Sequence, residues 1–364
     1  MINLSNFLKK FSKVLAFFVS CATYYLVIDF ALTKSLRLKG YDEFFESNIN
    51  VGFINKRNFE GRFGGPLDEF NNKVTTNSIG NRNSLEGFCN YELNQSKILI
   101  VGDSQVAGYE VADDETYVAL LNQNCLNNAI YINGGVRAHD THMAMANLRR
   151  IVLESGFENN EVKYIYMLTT NDFKENNLKN SYKSMKALFG SIHDNEFYQP
   201  HVNPIKLNAK KIIGKNFYFT KKFRRTIISI IDSSKKTNTQ KIVQFKSKYE
   251  NLENNKKECI RVKNIVEKVI NEDNKINKIY IGVHPSFSKK SIKNLISNQK
   301  KHEDCLNSAL DKNKNIEVIP ISKALANMNF ESNNSSEFKF VKDSHYNKKG
   351  HLLFAKVLEY VFNN

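Results

Sequence analysis

The sequence predicts an α/β protein: a parallel sheet of about five strands with helices on both faces, preceded by an apolar N-terminal helix and interrupted by a helical insertion. Three observations predict this. From residue 97 onward, short runs rich in Ile, Val and Tyr alternate with longer amphipathic runs. The first three of those short runs each end in small or polar residues suited to a turn at a carboxyl tip. Residues 14–32, VLAFFVSCATYYLVIDFAL, are long enough to cross a bilayer at ~1.5 Å per residue.

Residues 1–13 read as a short cytoplasmic N-terminus and 14–32 as an uncleaved, single-pass anchor. Lys9, Lys10 and Lys13 precede the apolar run, as the positive-inside rule expects, although Lys34, Arg37 and Lys39 follow it. A cleaved signal peptide, a lipoprotein signal ending at Cys21 and a buried amphipathic helix are the alternatives. Residues 33–94 are mixed, with a turn cluster at GRFGGP (61–66), and read as a lead-in packed on the domain.

The domain proper spans 95–364. KILIVGD (97–103) is a buried strand, followed by a helix over 114–124 with an acidic first turn. AIYINGG (129–135) is the second strand, followed by an amphipathic helix over 139–155. KYIYMLTTND (163–172) is the third strand, KIYIGVHPS (278–286) the fourth and IEVIPIS (316–322) the fifth. Helices fill 288–311 and 350–362. Residues 173–260 are polar and Lys/Asn-rich, with helical pieces such as 244–256. That stretch is too long for an ordinary connection, so it reads as an insertion beside the site or a lid.

The 364 residues are 41% hydrophobic, enough for one large core, and carry a formal net charge of +16. The lysines are scattered among Asn and Glu, and no zinc-finger, aromatic-basic or basic-heptad pattern appears, so no nucleic-acid partner is expected. None of the five cysteines lies in a C-x-x-C pair; Cys89, Cys125, Cys259 and Cys305 are either two disulfides or free thiols. His139, Asp140 and His142 form an H-D-x-H cluster without a third ligand, so no metal and no cofactor is expected there; a substrate contact or a helix start fits better.

The chemistry-bearing residues fall at the strand tips. In an open α/β sheet, ligands bind beyond the carboxyl ends of the strands. Gly102-Asp103-Ser104 closes the first strand and places a hydroxyl and a free backbone N–H at a helix start. Asn133-Gly134-Gly135 closes the second, where a glycine lets a backbone N–H approach a carbonyl. Asn171-Asp172 closes the third and offers a side-chain amide. Asp343-Ser344-His345 precedes the last helix and pairs an imidazole with a carboxylate.

Taken together, these blocks resemble the SGNH, or GDSL-type, hydrolase superfamily over roughly residues 95–364, apart from the insertion. The resemblance implies a three-layer α/β/α, flavodoxin-like domain and a serine esterase or acyl-hydrolase. It makes Ser104 the nucleophile, His345 the base and Asp343 its orienting acid. The N–H groups of Ser104 and Gly135 and the side chain of Asn171 would form the oxyanion hole. Asn77-Ser78-Ile79-Gly80-Asn81-Arg82, Tyr109-Glu110-Val111 and Asp114-Glu115-Thr116-Tyr117 look like a bacterial branch that is often membrane-anchored and encoded with surface-polysaccharide genes. Thr169 and Gln105 depart from the usual blocks, as does the single residue between Asp343 and His345. The expected substrate is therefore an acylated carbohydrate or other ester, met outside the cytoplasm by a domain tethered through its N-terminal helix. An O-acetyltransferase using the same acyl-serine, or a non-catalytic module binding a glycan or an assembly partner, are the competing functions. Oligomeric state is left open.

Overall fold

The structure is a computed structural model that describes residues 4–35, 44–48, 50–64, 69–83, 96–157, 162–170, 173, 247–287, 291–310, 313–330, 333–341 and 343–363. Two compact units are present, residues 1–43 with 200–247 and residues 44–199 with 248–364. The first contains α1 (Leu4–Ser35). Its stretch Ser12–Ala31 is, among the described residues, the one helical segment long and apolar enough to cross a membrane, and Phe17, Phe18 and Val27 on it are exposed.

In the second unit the strands are β1 (Phe45–Asn48), β2 (Gly52–Asn55), β3 (Glu60–Gly64), β4 (Asn71–Thr75), β5 (Ser96–Gly102), β6 (Ala129–Gly135), β7 (Val162–Leu168), β8 (Ile279–Val283) and β9 (Ile316–Val318). The helices are α2 (Ser104–Ala107), α3 (Tyr117–Gln123), α4 (Thr141–Ser155), α5 (Ser247–Glu272), α6 (Ile292–Leu310), α7 (Ile321–Ala326) and α8 (Lys348–Asn363).

Five parallel strands form the main sheet in the order β6-β5-β7-β8-β9. Side chains alternate across it as a twofold strand period requires. Ile98 and Ile100 of β5 join one core cluster with α3, α7 and α8, and Leu99 and Val101 join another with α4, α5 and α6. Both faces are covered, which is why these strands read as continuous apolar runs. The chain leaves β5 for one neighbour, β6, then returns to the other, β7. The strand order thus reverses at β5, and in open α/β sheets ligands bind beyond the carboxyl ends of the strands at such a reversal. Gly102 at that end stands level with Gly135 on one side and Met167 on the other.

Several boundaries differ from the sequence expectations, each for a local reason. The helix expected over 114–124 is a 3-10 turn (Asp113–Glu115) and then α3, because Thr116 is extended and caps α3 by accepting a hydrogen bond from Ala119 N. The helix expected from residue 139 starts at Thr141 behind Asp140, whose carboxylate accepts from Met143 N at 3.1 Å. The fifth strand ends at Val318, because Pro320, which has no N–H, leads directly into α7. Helix α5 runs through residue 260, the expected end of the insertion, and buries Cys259, Val262, Val266 and Val269 against the sheet. Most of 173–260 lies outside the described residues.

The lead-in contains two antiparallel hairpins, β1–β2 and β3–β4. Residues 61–64 of the expected turn cluster are strand, since Asn71–Asn72-Lys73-Val74 supplies their ladder partners; residues 65–68 lie outside the described residues. Phe44, Phe45 and Phe63 surround the Tyr109 ring at centroid distances of 4.9, 6.1 and 5.0 Å. This aromatic cluster fixes the hairpins to the loop after α2.

Candidate active site

Ser104 begins α2, two residues beyond Gly102 at the end of β5. Gly102 is required there: a Cβ would meet Met167 O and Val106 Cγ2, both at 2.5 Å. Asp103 caps the short helix, accepting from Gln105 N at 2.9 Å, and its second oxygen accepts from Thr169 Oγ1 at 2.9 Å. Thr169, a departure from the family pattern, therefore anchors the turn from the β7 side. Ser104 is only 7% exposed, and its N–H has no hydrogen bond among the described residues.

His345 lies in the loop before α8. Its Nε2 is 2.7 Å from Ser104 Oγ, and its Nδ1 makes a short contact with Asp343 Oδ1. Asp343 Oδ1 also accepts from the His345 backbone N–H at 3.0 Å, so the pair is fixed to its own loop. Gln105, the other departure, accepts from Tyr346 N at 3.2 Å and ties that loop to α2. With Nδ1–H held by a carboxylate, the neutral ring presents a lone pair at Nε2 to the serine. Ser104, His345 and Asp343 are thus brought together across 239 to 241 residues of chain.

Gly135 has a different task from the one expected. Its N–H is donated to Asn133 Oδ1 at 3.1 Å, while Asn133 Nδ2 donates to Val106 O at 2.9 Å. A Cβ at Gly135 would strike Ala107 N and come within 2.7 Å of Val106 C. Gly135 therefore lets β6 touch the backbone of α2, and its N–H is already committed. Three residues on, Ala138 has φ +58°, unusual for a residue with a Cβ, and its N–H has no hydrogen bond among the described residues. Nothing in the residue type Ala signals this. Asn171 lies outside the described residues.

The lead-in completes the back of the site. Asn55 is fully buried; its Nδ2 donates to Gly135 O at 3.0 Å and its Oδ1 accepts from the Tyr109 hydroxyl at 2.6 Å. The Arg82 guanidinium is fully buried and donates to Asp113 Oδ1 at 2.7 Å, Ala107 O at 2.8 Å, Val111 O at 2.7 Å and, in a short contact, Gly108 O. It places a cation on the orphan carbonyls that end α2. Gly80, at φ +79°, permits the turn before Arg82; a Cβ there would meet Asn55 O at 2.5 Å.

Of the H-D-x-H cluster, Asp140 is a helix cap and the buried His139 bonds Phe53 O through Nε2 at 2.9 Å, so these two serve the fold. The one group of three potential ligand side chains among the described residues is Glu110, Asp343 and His345. Glu110 is 1% exposed, and its Oε1 is 3.4 Å from His345 Nδ1. Burial pulls the His345 imidazole down, but the carboxylates of Glu110 and Asp343 outweigh it and push it up to about 9. Burial raises Asp343, yet its hydrogen bond and charge pairing with His345 hold it below the usual carboxylate range.

No protein-family model and no curated protein matches the chain. Among solved structures, a member of the lipolytic protein G-D-S-L family from Veillonella parvula is 13% identical, with a TM-score of 0.37 over 74% of this chain and 99% of that one. Axe2, an acetylxylan esterase from Geobacillus stearothermophilus, is 10% identical, with a TM-score of 0.36 over 75% of this chain and 97% of its own. LAE5, an alpha/beta hydrolase enzyme from the metagenome of Lake Arreo, Spain, is 12% identical, with a TM-score of 0.36 over 75% and 97%.

Proposed function

We propose that this chain is a serine esterase that removes O-acyl groups, chiefly acetyl, from a carbohydrate through an acyl-Ser104 intermediate. The observation that carries the reading is the line from Ser104 Oγ to His345 Nε2, 2.7 Å, and on from Nδ1 to Asp343. His345 Nε2 takes the Ser104 proton as Oγ attacks the ester carbonyl carbon. The tetrahedral intermediate collapses, the bond to the sugar oxygen breaks, and that oxygen takes the proton from Nε2. Water then gives a proton to Nε2 and attacks the acyl carbon. The bond to Oγ breaks, Oγ regains the proton, and the free acid leaves.

The uncommitted N–H groups of Ser104 and Ala138 are the donors for the oxyanion, with Ala138 in the role expected of Gly135 and the Asn171 amide as a third donor. The carbohydrate assignment rests on the resemblance of the 77–82 and 109–117 segments to the surface-polysaccharide branch. Residues 14–32 act as a single-pass anchor, and 33–94 serve as the lead-in of a domain spanning 95–364, outside the cytoplasm. A disulfide between Cys259 and Cys305 supports that compartment, because such bonds persist in oxidising surroundings.

The test is acetate release from acetylated oligosaccharides by the full chain. Ser104→Ala should lower turnover by about 10³-fold or more. Unchanged release by that variant would overturn the reading. Acetyl passed to a sugar in preference to water would keep the acyl-serine and replace hydrolysis with transfer.

A further inference from the structure

We propose that Glu110 is a second carboxyl partner of His345: a positioning residue that shares Nδ1 with Asp343 and stabilises the cationic ring formed when Nε2 takes the serine proton. The inference rests on His345 being the base and deepens that reading.

Glu110 is poorly placed for stability alone. It is 1% exposed, and neither carboxyl oxygen has a hydrogen bond among the described residues. A buried carboxyl without donors is costly unless an opposite charge offsets it. The ion partner within reach is His345 Nδ1, 3.4 Å from Oε1. One carboxyl oxygen each of Glu110 and Asp343 and one ring nitrogen of His345 lie within 4.8 Å of one another.

The backbone around Glu110 is held firmly. Gly108, at φ +61°, turns the chain out of α2, and the buried Tyr109 is packed among the lead-in phenylalanines. Glu110 O accepts from Asn72 Nδ2 at 2.5 Å, and Val111 O accepts from Arg82. The carboxyl is therefore directed at the ring edge by a rigid loop. Asp343, by contrast, moves with His345 on one loop. Glu110 fixes that edge relative to α2 and hence to Ser104.

The proton inventory is simple. Nδ1 keeps its own proton throughout. When Nε2 gains the Ser104 proton the ring becomes cationic, with Asp343 on Nδ1 and Glu110 beside it. The other groups around the pair are Asp103, which also raises His345, Arg137, which favours both carboxylates, the Tyr109 phenol and the Arg82 guanidinium, and His351, kept neutral by burial. Burial lifts the Glu110 carboxyl above the usual carboxylate range against the opposing pull of the His345 and Arg137 charges, so Glu110 and His345 titrate as a coupled pair.

Two carboxyls at one Nδ1–H also mean that loss of Asp343 does not orphan the ring. In a triad with a single acid, loss of its charge costs about 10⁴ in rate. Here Asp343→Ala should cost less, and Glu110 should carry the remainder.

The experiment uses the full chain in detergent micelles and a fluorophosphonate probe. Inactivation rate is followed against pH for the wild type, Glu110→Gln, Asp343→Ala and the double variant. The His345 ring titration is followed by NMR, its signal identified by loss in His345→Ala. Glu110→Gln should lower the His345 pKa by about one unit or more and move the acid limb of the inactivation profile to lower pH by the same amount. The double variant should react about 10-fold or more slowly than Asp343→Ala. An unchanged His345 pKa in Glu110→Gln, with a double variant no slower than Asp343→Ala, would overturn the proposal. So would a lower rate and melting temperature with no movement of the titration, which is the pattern of a merely structural residue. A wild type that forms no Ser104 adduct would overturn the serine-hydrolase reading instead. The NMR titration needs no reaction and decides the Glu110 contact in that case too.

Discussion

In the proposed reading, Ser104, His345 and Asp343 would draw their reactivity from contacts that restrict them rather than from residue type. The serine hydroxyl is buried and has the imidazole nitrogen at 2.7 Å. With His345 pushed up to about 9, the ring is protonated at neutral pH and becomes a base only as pH rises. Ester hydrolysis should therefore increase through about pH 9 and fall off on the acid side, as a pH profile of kcat/KM would reveal. Gln105→Ala should lower kcat several-fold with little effect on melting temperature, because Gln105 is only partly buried and its bond to the Tyr346 backbone ties the His345 loop to α2. Steady-state kinetics beside a thermal melt check this. At this scale the motif residues were readable because each sits in a short local pattern. Gly135 was assigned an oxyanion N–H that Asn133 already occupies, and Ala138 went unnoticed because a positive φ leaves no mark on the letter Ala. Glu110 was visible as part of Tyr109-Glu110-Val111, but its role depends on burial beside a histidine 235 positions away, which no local pattern encodes.

The five main strands were legible because burial on both faces imposes continuous apolar runs. The hairpins β1–β2 and β3–β4 were not, since strands of four or five residues rich in Asn and Gly lack that signal. Yet these hairpins, with Arg82 in the segment after β4, hold the loop from Ala107 to Asp113 through Arg82, Asn55 and Asn72. Arg82→Met would take the cation from Asp113, which keeps its bonds from Thr75, and the donors from three backbone carbonyls. Removing one partner of such a buried pair costs about 3–5 kcal/mol, so denaturant melts should show a loss of that size together with loss of activity. Gly135→Ala would push a methyl into the backbone of α2. It should destabilise by roughly 1–3 kcal/mol and displace Ser104, which probe labelling would register as a slower rate at unchanged probe concentration.

For the molecule as a whole, stability depends on groups remote from the crevice. The Cys259–Cys305 bond joins α5 to α6 across a separation of 46 residues. In the chain-entropy treatment, closing a loop of that length stabilises by about 4 kcal/mol, and replacing both cysteines with Ala should lower stability by roughly that amount. His139 and His284 are fully buried and held neutral, pushed down to about 3, and His351 is pushed well below its ordinary value as well. Their folded pKa values lie below the unfolded value, so the unfolded chain binds more protons below about pH 6.5. Stability is therefore lost as pH falls from about 6.5 toward 3, at up to roughly 1.4 kcal/mol per pH unit for each histidine. A melting-temperature series across that range checks the slope. The α/β class, the parallel sheet and the apolar N-terminal helix were all readable as composition and rhythm. The cysteine pairing was not, because it depends on α5 and α6 lying side by side.

Whether Ser104 is activated is read by treating the full chain with a fluorophosphonate, digesting it and locating the adduct by mass spectrometry. An activated Ser104 should carry a single adduct that vanishes in Ser104→Ala and in His345→Ala. A folded chain that takes up no probe, or that is labelled equally in the His345 variant, would contradict it.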